Sequence, residues 1–100
     1  MCPDFHAAIE LVGRRWAGAI LWALSDGVHY FADFAESVPG VSDRLLSRRL
    51  RELEAEGLVE RNVHEGTPAR VSYALTKKGR ALVPALTELK SWARAWSSSS

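Results

Sequence analysis

A cluster of arginines in one predicted helix is the strongest chemical signal in this chain. The segment from Ser42 to Glu56 places three leucines on one helical stripe. The opposite side carries short polar and long basic side chains, densest near the N-terminus: Ser42, Asp43, Arg44, Ser47, Arg48 and Arg51. Because arginine bonds guanine O6 and N7 or holds phosphates, this side predicts a helix that reads double-stranded DNA.

The same helix admits a second interpretation, in which its polar side simply faces solvent. Arg48 and Glu52 stand at i, i+4 and would then pair with each other. Arg49 lies beside the leucine stripe, so we expect it to pair with an acidic residue or to contact a phosphate from the side. The helix taken alone supports both interpretations equally.

A predicted β-hairpin carries the second polar group. Residues 58–64 and 70–75 alternate as two strands joined by five residues. His64 and Arg70 flank the loop, and Thr67 lies at its tip. A wing that follows the DNA backbone or minor groove needs a basic residue at its end, so these three residues are candidate DNA contacts. An ordinary polar hairpin is the alternative if the arginine helix is left out of account.

The only cysteine, Cys2, precedes Pro3 at the start of a predicted first helix. Positive partial charge at a helix N-terminus stabilises a thiolate, which oxidants and electrophiles attack. Cys2 is therefore a candidate redox-sensing residue, and an inert terminal cysteine is the alternative. Cys2, His6 and Glu10 share one helical stripe, but three ligands near a terminus make a poor metal site. We expect neither a metal nor a cofactor.

Large apolar side chains near both ends of the chain predict a partner surface. A chain of 100 residues has little core left to cover tryptophans at its end. We expect a homodimer, because reading a duplex with two heads requires two-fold symmetry. The alternative is packing within one chain, against Trp16 and Trp22. The predicted interface residues are Phe5, Ile9, Leu89, Trp92 and Trp96.

The helices and strands that position these residues are predicted from the spacing of apolar residues and from the glycine, proline and capping residues between them. The predicted order is helix, central buried helix, short strand at 28–30, short helix, arginine helix, hairpin and final helix. We therefore predict a mainly α fold with a small β-hairpin (α+β). This is a winged helix-turn-helix with N- and C-terminal dimerisation helices. Residues 1–96 would form a single domain and 97–100 a disordered tail.

Composition and charge narrow the function classes. About half of the residues are hydrophobic (47%) and a quarter are charged, which is a globular composition. Residues 42–100 carry eleven Lys and Arg against seven Asp and Glu, whereas residues 1–41 carry two against five. Basic charge confined to one part suits a local polyanion contact. One cysteine fits a reducing cytoplasm, no apolar run reaches membrane-spanning length, and no catalytic motif is present.

These residues resemble the HxlR-type family of bacterial winged-helix transcriptional regulators, relatives of MarR-type repressors. The resemblance covers 2–96, with the longest matching pieces at 45–59 and 68–76. It implies a dimeric DNA-binding repressor or activator, with the first and last helices forming the dimer. Cys2 falls where many such regulators carry a sensing cysteine, whereas Arg14 replaces a usual glycine.

The resemblance leaves open what the protein binds and which signal it responds to. A dimer of this kind would read a pseudo-palindromic operator. If Cys2 is inert, we expect a small-molecule effector to bind between the first, second and last helices. A winged-helix adaptor that binds proteins instead of DNA, through Trp92 and Trp96, is the alternative from another class. Arginines on the exposed side of the 42–56 helix favour DNA over that adaptor.

Overall fold

Five α-helices and one hairpin make up residues 2–97, the part of the chain that the computed structural model describes. A single 3-10 turn at Phe31–Asp33 leads directly into α3. The predicted order of elements is present, and the predicted tail lies, from residue 98 onward, outside the described residues. The elements are α1 (Pro3–Val12), α2 (Ala17–Ser25), α3 (Phe34–Ser37), α4 (Asp43–Ala55), β1 (Val59–His64), β2 (Arg70–Leu75) and α5 (Lys77–Ala95).

Helix α2 occupies the centre of the core, as its almost wholly apolar sequence predicts. Ile20 and Leu21 are fully buried against Phe34 and against the leucine stripe of α4. Removing each such side chain from water contributes about 1.5–3 kcal/mol to stability. The leucine stripe of α4 is therefore fixed inward, and its polar side is left outward. None of the helices within 2–97 is long and apolar enough to cross a bilayer.

Short side chains cap three of the helices at the positions that the sequence predicts. Ser42 Oγ accepts from the Leu45 amide at 3.1 Å, and Thr76 Oγ1 accepts from the Gly79 amide at 3.1 Å. Each bond satisfies one of the amides that a helix N-terminus leaves without a partner. Cys2 takes the same place before α1. These caps define where the arginine helix and the last helix begin.

The hairpin is antiparallel, and its register sets the geometry of the wing. Val59 lies opposite Leu75 at its base, and His64 lies opposite Arg70 at its tip. The predicted strand at 28–30 is reduced to a single bridge between Tyr30 and Ser72. It does not extend further because the 3-10 turn begins at the next residue.

Candidate nucleic-acid interface

The exposed side of α4 brings the predicted reading residues together. Arg44, Arg48 and Arg51 are exposed and lie opposite the buried leucines, with Ser47 partly exposed between them. Arg51 donates to Ser47 Oγ at 3.5 Å, whereas Arg44 and Arg48 form no ion pair with any of residues 2–97. Ser42, Asp43 and Arg44 occupy the first turn, where a helix enters a groove. This surface, which we call the arginine face, therefore carries uncompensated positive charge.

The pairing of Arg48 with Glu52 that the solvated interpretation expected does not form. Glu52 Oε1 instead accepts from Arg49 at 2.9 Å and lies 3.6 Å from the Arg14 guanidinium. Arg49 also donates through Nε to the main-chain carbonyl oxygen of Arg15 at 2.8 Å. Of the two expectations for Arg49, the acidic partner is the one observed. Arg48 is thereby left available to an external anion.

The two basic residues predicted to contact DNA from the wing, His64 and Arg70, lie side by side, and both have contacts within the chain. His64 Nε2 lies 2.6 Å from Ser72 Oγ, and the residue is exposed. The Arg70 guanidinium lies 3.7 Å from the ring centroid of Tyr30. Thr67 is exposed in the loop. The aromatic ring therefore fixes Arg70 at the tip of the wing, while all three predicted wing residues stay accessible.

Cys2 is exposed and forms the N-cap of α1, as predicted. Its Sγ accepts from the Phe5 amide at 3.5 Å. His6 Nε2 pairs with Glu10, one turn further along α1. Within 2–97, no three His, Cys, Asp or Glu side chains are grouped closely enough to hold a metal ion.

Large apolar side chains remain exposed on α1 and α5. The exposed fraction is 62% for Trp92 and 78% for Trp96, so neither is packed within one chain. Trp16 and Trp22, the residues that could have packed against them, have other contacts. Lys90 Nζ lies 4.2 Å from the centroid of the Trp22 ring, and the Trp16 ring contacts Gly40. Within one chain, therefore, Trp92 and Trp96 are left mostly exposed rather than buried against Trp16 and Trp22. The exposed apolar residues of the two helices, which we call the terminal-helix surface, are Phe5, Ile9, Leu89, Trp92 and Trp96.

Comparison with known proteins decides the family. The family model described as HxlR-like helix-turn-helix matches residues 11–100. The chain belongs to the HxlR-like family. The uncharacterized HTH-type transcriptional regulator YvaP of Bacillus subtilis is 44% identical over 96 residues, which are 96% of this chain and 89% of YvaP. The HTH-type transcriptional regulator YodB of the same organism is 43% identical over 93 residues, which are 93% of this chain and 83% of YodB.

Solved structures of HxlR-like relatives agree with this fold over almost its whole length. The reduced form of YodB from B. subtilis has a TM-score of 0.86 at 40% identity, covering 100% of this chain and 98% of that chain. The redox regulator HypR in its reduced form has a TM-score of 0.86 at 34% identity, covering 92% and 91%. YodB is also known diamide-treated and quinone-bound. The predicted winged helix-turn-helix, its family and its class as a regulator rather than an enzyme are confirmed.

Two residues of this HxlR-like chain act in the candidate site without having been singled out from the sequence. Tyr30 supports Arg70, and the main chain of Arg15 holds Arg49. An aromatic residue in the short strand was the only signal for Tyr30. Nothing in the spacing of Arg15 indicates its contact with α4, because 34 residues separate the two partners.

Proposed function

We propose that this chain is a homodimeric, sequence-specific DNA-binding transcriptional regulator. The observation that carries the proposal is the arginine face, where Arg44 and Arg48 have no ionic partner among the described residues. A side chain with no internal partner is free to bond a base edge or a phosphate. Ser42, Asp43, Ser47 and Arg51 complete the reading surface, and His64, Thr67 and Arg70 supply the wing contacts.

The terminal-helix surface supports the dimer. Exposed apolar patches that contain tryptophan are typical of partner surfaces. In a two-fold dimer the same patch on a second copy of the chain would cover this one. A two-fold dimer would place the two α4 helices about 34 Å apart, one turn of the duplex. The DNA partner is therefore a pseudo-palindromic operator with two half-sites.

The exposed thiol at the N-cap of α1 supports a redox or electrophile response through Cys2. YodB, similar to this chain along its whole length, has been solved diamide-treated and quinone-bound. Diamide would take up two electrons and two protons as two Cys2 thiols join in one disulfide across the dimer. A quinone would instead accept the thiolate in a new C–S bond and be left as a hydroquinone ring. Either product lies on a helix of the dimer surface and would alter the separation of the reading helices.

Selection of duplexes from a random pool by the purified protein tests the proposal. Enrichment of a two-fold symmetric sequence, with binding that weakens as salt rises, is the expected result. The folded Arg44→Ala, Arg48→Ala double variant should enrich nothing, whereas Arg94→Ala, on the far end of α5, should select the same sequence as wild type. A folded wild type that enriches no sequence would favour the protein-binding adaptor.

A further inference from the structure

The turn between α1 and α2 lies against the flank of α4. Arg49 Nε donates to the carbonyl oxygen of Arg15 at 2.8 Å, and the Arg14 guanidinium lies 3.6 Å from Glu52. Arg49 and Glu52 stand between the buried stripe and the arginine face on the α4 surface. The turn is therefore fixed beside the arginine face.

The side chain of Arg15 rests on an aromatic surface that is itself fixed. Its guanidinium lies 5.3 Å from the ring centroid of Trp16. Trp16 has a φ of 74°, and it is the only non-glycine residue with positive φ between 2 and 97. Its ring packs so closely on Gly40 that a Cβ there would lie 3.2 Å away. Gly40 precedes the N-cap Ser42 by two residues, so Trp16 also packs on the segment that leads into α4, while the carbonyl oxygen of Arg15 contacts Arg49 at the middle of that helix.

Charge separates Arg15 from the other two arginines at this flank. Arg14 and Arg49 both lie near the Glu52 carboxylate, whereas Arg15 has no ionic partner in the described part of the chain. A helix with side chains is 10–12 Å across, and the major groove is about 12 Å wide, so the flanks of an inserted helix face the two phosphate backbones. An unpaired guanidinium on that flank complements a phosphate.

We propose that Arg15 binds a backbone phosphate beside the groove that α4 enters, as a contact of the α1–α2 turn. The inference rests on the DNA binding proposed above and extends the interface beyond the helix-turn-helix and wing. A phosphate contact carries no sequence information, so Arg15 contributes affinity and orientation. The bond from Arg49 to the Arg15 carbonyl also links the reading helix to the C-terminal end of α1, and Cys2 caps the opposite end of that helix.

The test is the salt dependence of DNA binding by Arg15→Gln, compared with wild type and Arg94→Gln. The bond from Arg49 goes to the main-chain carbonyl of residue 15, so the substitution leaves it in place. The slope of log K against log salt concentration is negative, and we expect it to become less negative by about 0.9. Affinity should drop by the same factor, a few-fold, on the selected operator and on unrelated duplex, and Arg15→Lys should recover most of the slope.

The outcomes separate this inference from the proposed function. An Arg15→Gln slope equal to those of wild type and Arg94→Gln would overturn the phosphate contact alone. A loss confined to the selected operator would also overturn it, because it would mean base reading. A wild type that binds no duplex would overturn the proposed function, and the contact with it.

Discussion

Lys78 donates from Nζ to the main-chain carbonyl oxygen of Glu56 at 2.8 Å, and so joins the last turn of α4 to the first turn of α5. Thr76 strengthens the same junction, with Oγ1 donating to the Gly57 carbonyl at 2.6 Å. The Lys78 charge is favourable at the C-terminus of α4, where the helix dipole is negative. This offsets its unfavourable position in the first turn of α5, where the dipole is positive. Two hydrogen bonds thereby link the end of the reading helix to the start of the proposed dimer helix.

Substitution at Gly79 should disturb this junction. A Cβ at Gly79 would overlap the carbonyl oxygen of Leu58, so Gly79→Ala should move α5 and destabilise the protein by about 1–3 kcal/mol. Gly18→Ala is the matched control, because in α2 the nearest atom to its Cβ lies 3.9 Å away. It should be neutral or stabilise by up to about 1 kcal/mol. Urea unfolding measures both, and equal midpoints for the two variants would contradict the prediction.

Arginines on the arginine face should differ in what they contribute. If Arg44 or Arg48 bonds a base, its change to alanine should cost about 1–3 kcal/mol of binding free energy and relax preference at one operator position. If it holds a phosphate, binding to every sequence should weaken alike, and the slope of log K against log salt concentration should become less negative. Fluorescence anisotropy with operator and single-site variants distinguishes the two results. The Arg44→Ala, Arg48→Ala double variant, folded and still binding as wild type, would disprove the reading role.

Alanine at Trp92 and Trp96 should weaken dimerisation without unfolding the chain. Both side chains are mostly exposed in a single chain, so their loss removes contact area mainly between subunits. Val63→Ala provides a control, because Val63 is also exposed (56%) but lies on the wing. Sedimentation velocity at micromolar concentration should show monomer for the double variant and dimer for the control. A monomeric wild type would refute the dimer itself.

Serine at Cys2 should abolish the response of operator binding to diamide or to a quinone. Serine caps helices well, so Cys2→Ser should keep the bond to the Phe5 amide and the stability of α1. Titration of operator binding with either reagent, on both proteins, makes the comparison. A response of the same size in both, or in neither, would show that Cys2 is not the switch. An effector would then be sought between α1, α2 and α5.

Much of the fold followed from local patterns. The leucine spacing and the Ser42 cap located α4 within one or two residues, and clean alternation located β2. Such features need only neighbours in the sequence. The strand at 28–30 was overestimated, because its length depends on where the 3-10 turn starts.

The pairing of charges could not be predicted in the same way. Helical spacing alone offers Glu52 to Arg48 and to Arg49 alike. The choice is made by the α1–α2 turn, which brings Arg14 and the carbonyl of Arg15 to one side of α4. The support of Arg70 by Tyr30 likewise joins residues 40 positions apart in the sequence. These contacts exist only once the core has brought the elements together.

The exposure of Trp92 and Trp96 gives the chain its own optical probe of assembly. The other two indoles, Trp16 and Trp22, are already partly covered and stand beside cations in each subunit. Pairing of the terminal-helix surfaces would take the two outer indoles out of water. Intrinsic emission should then shift to shorter wavelength, and iodide should quench it less as protein concentration rises. Dimer formation could thus be followed without attaching any dye.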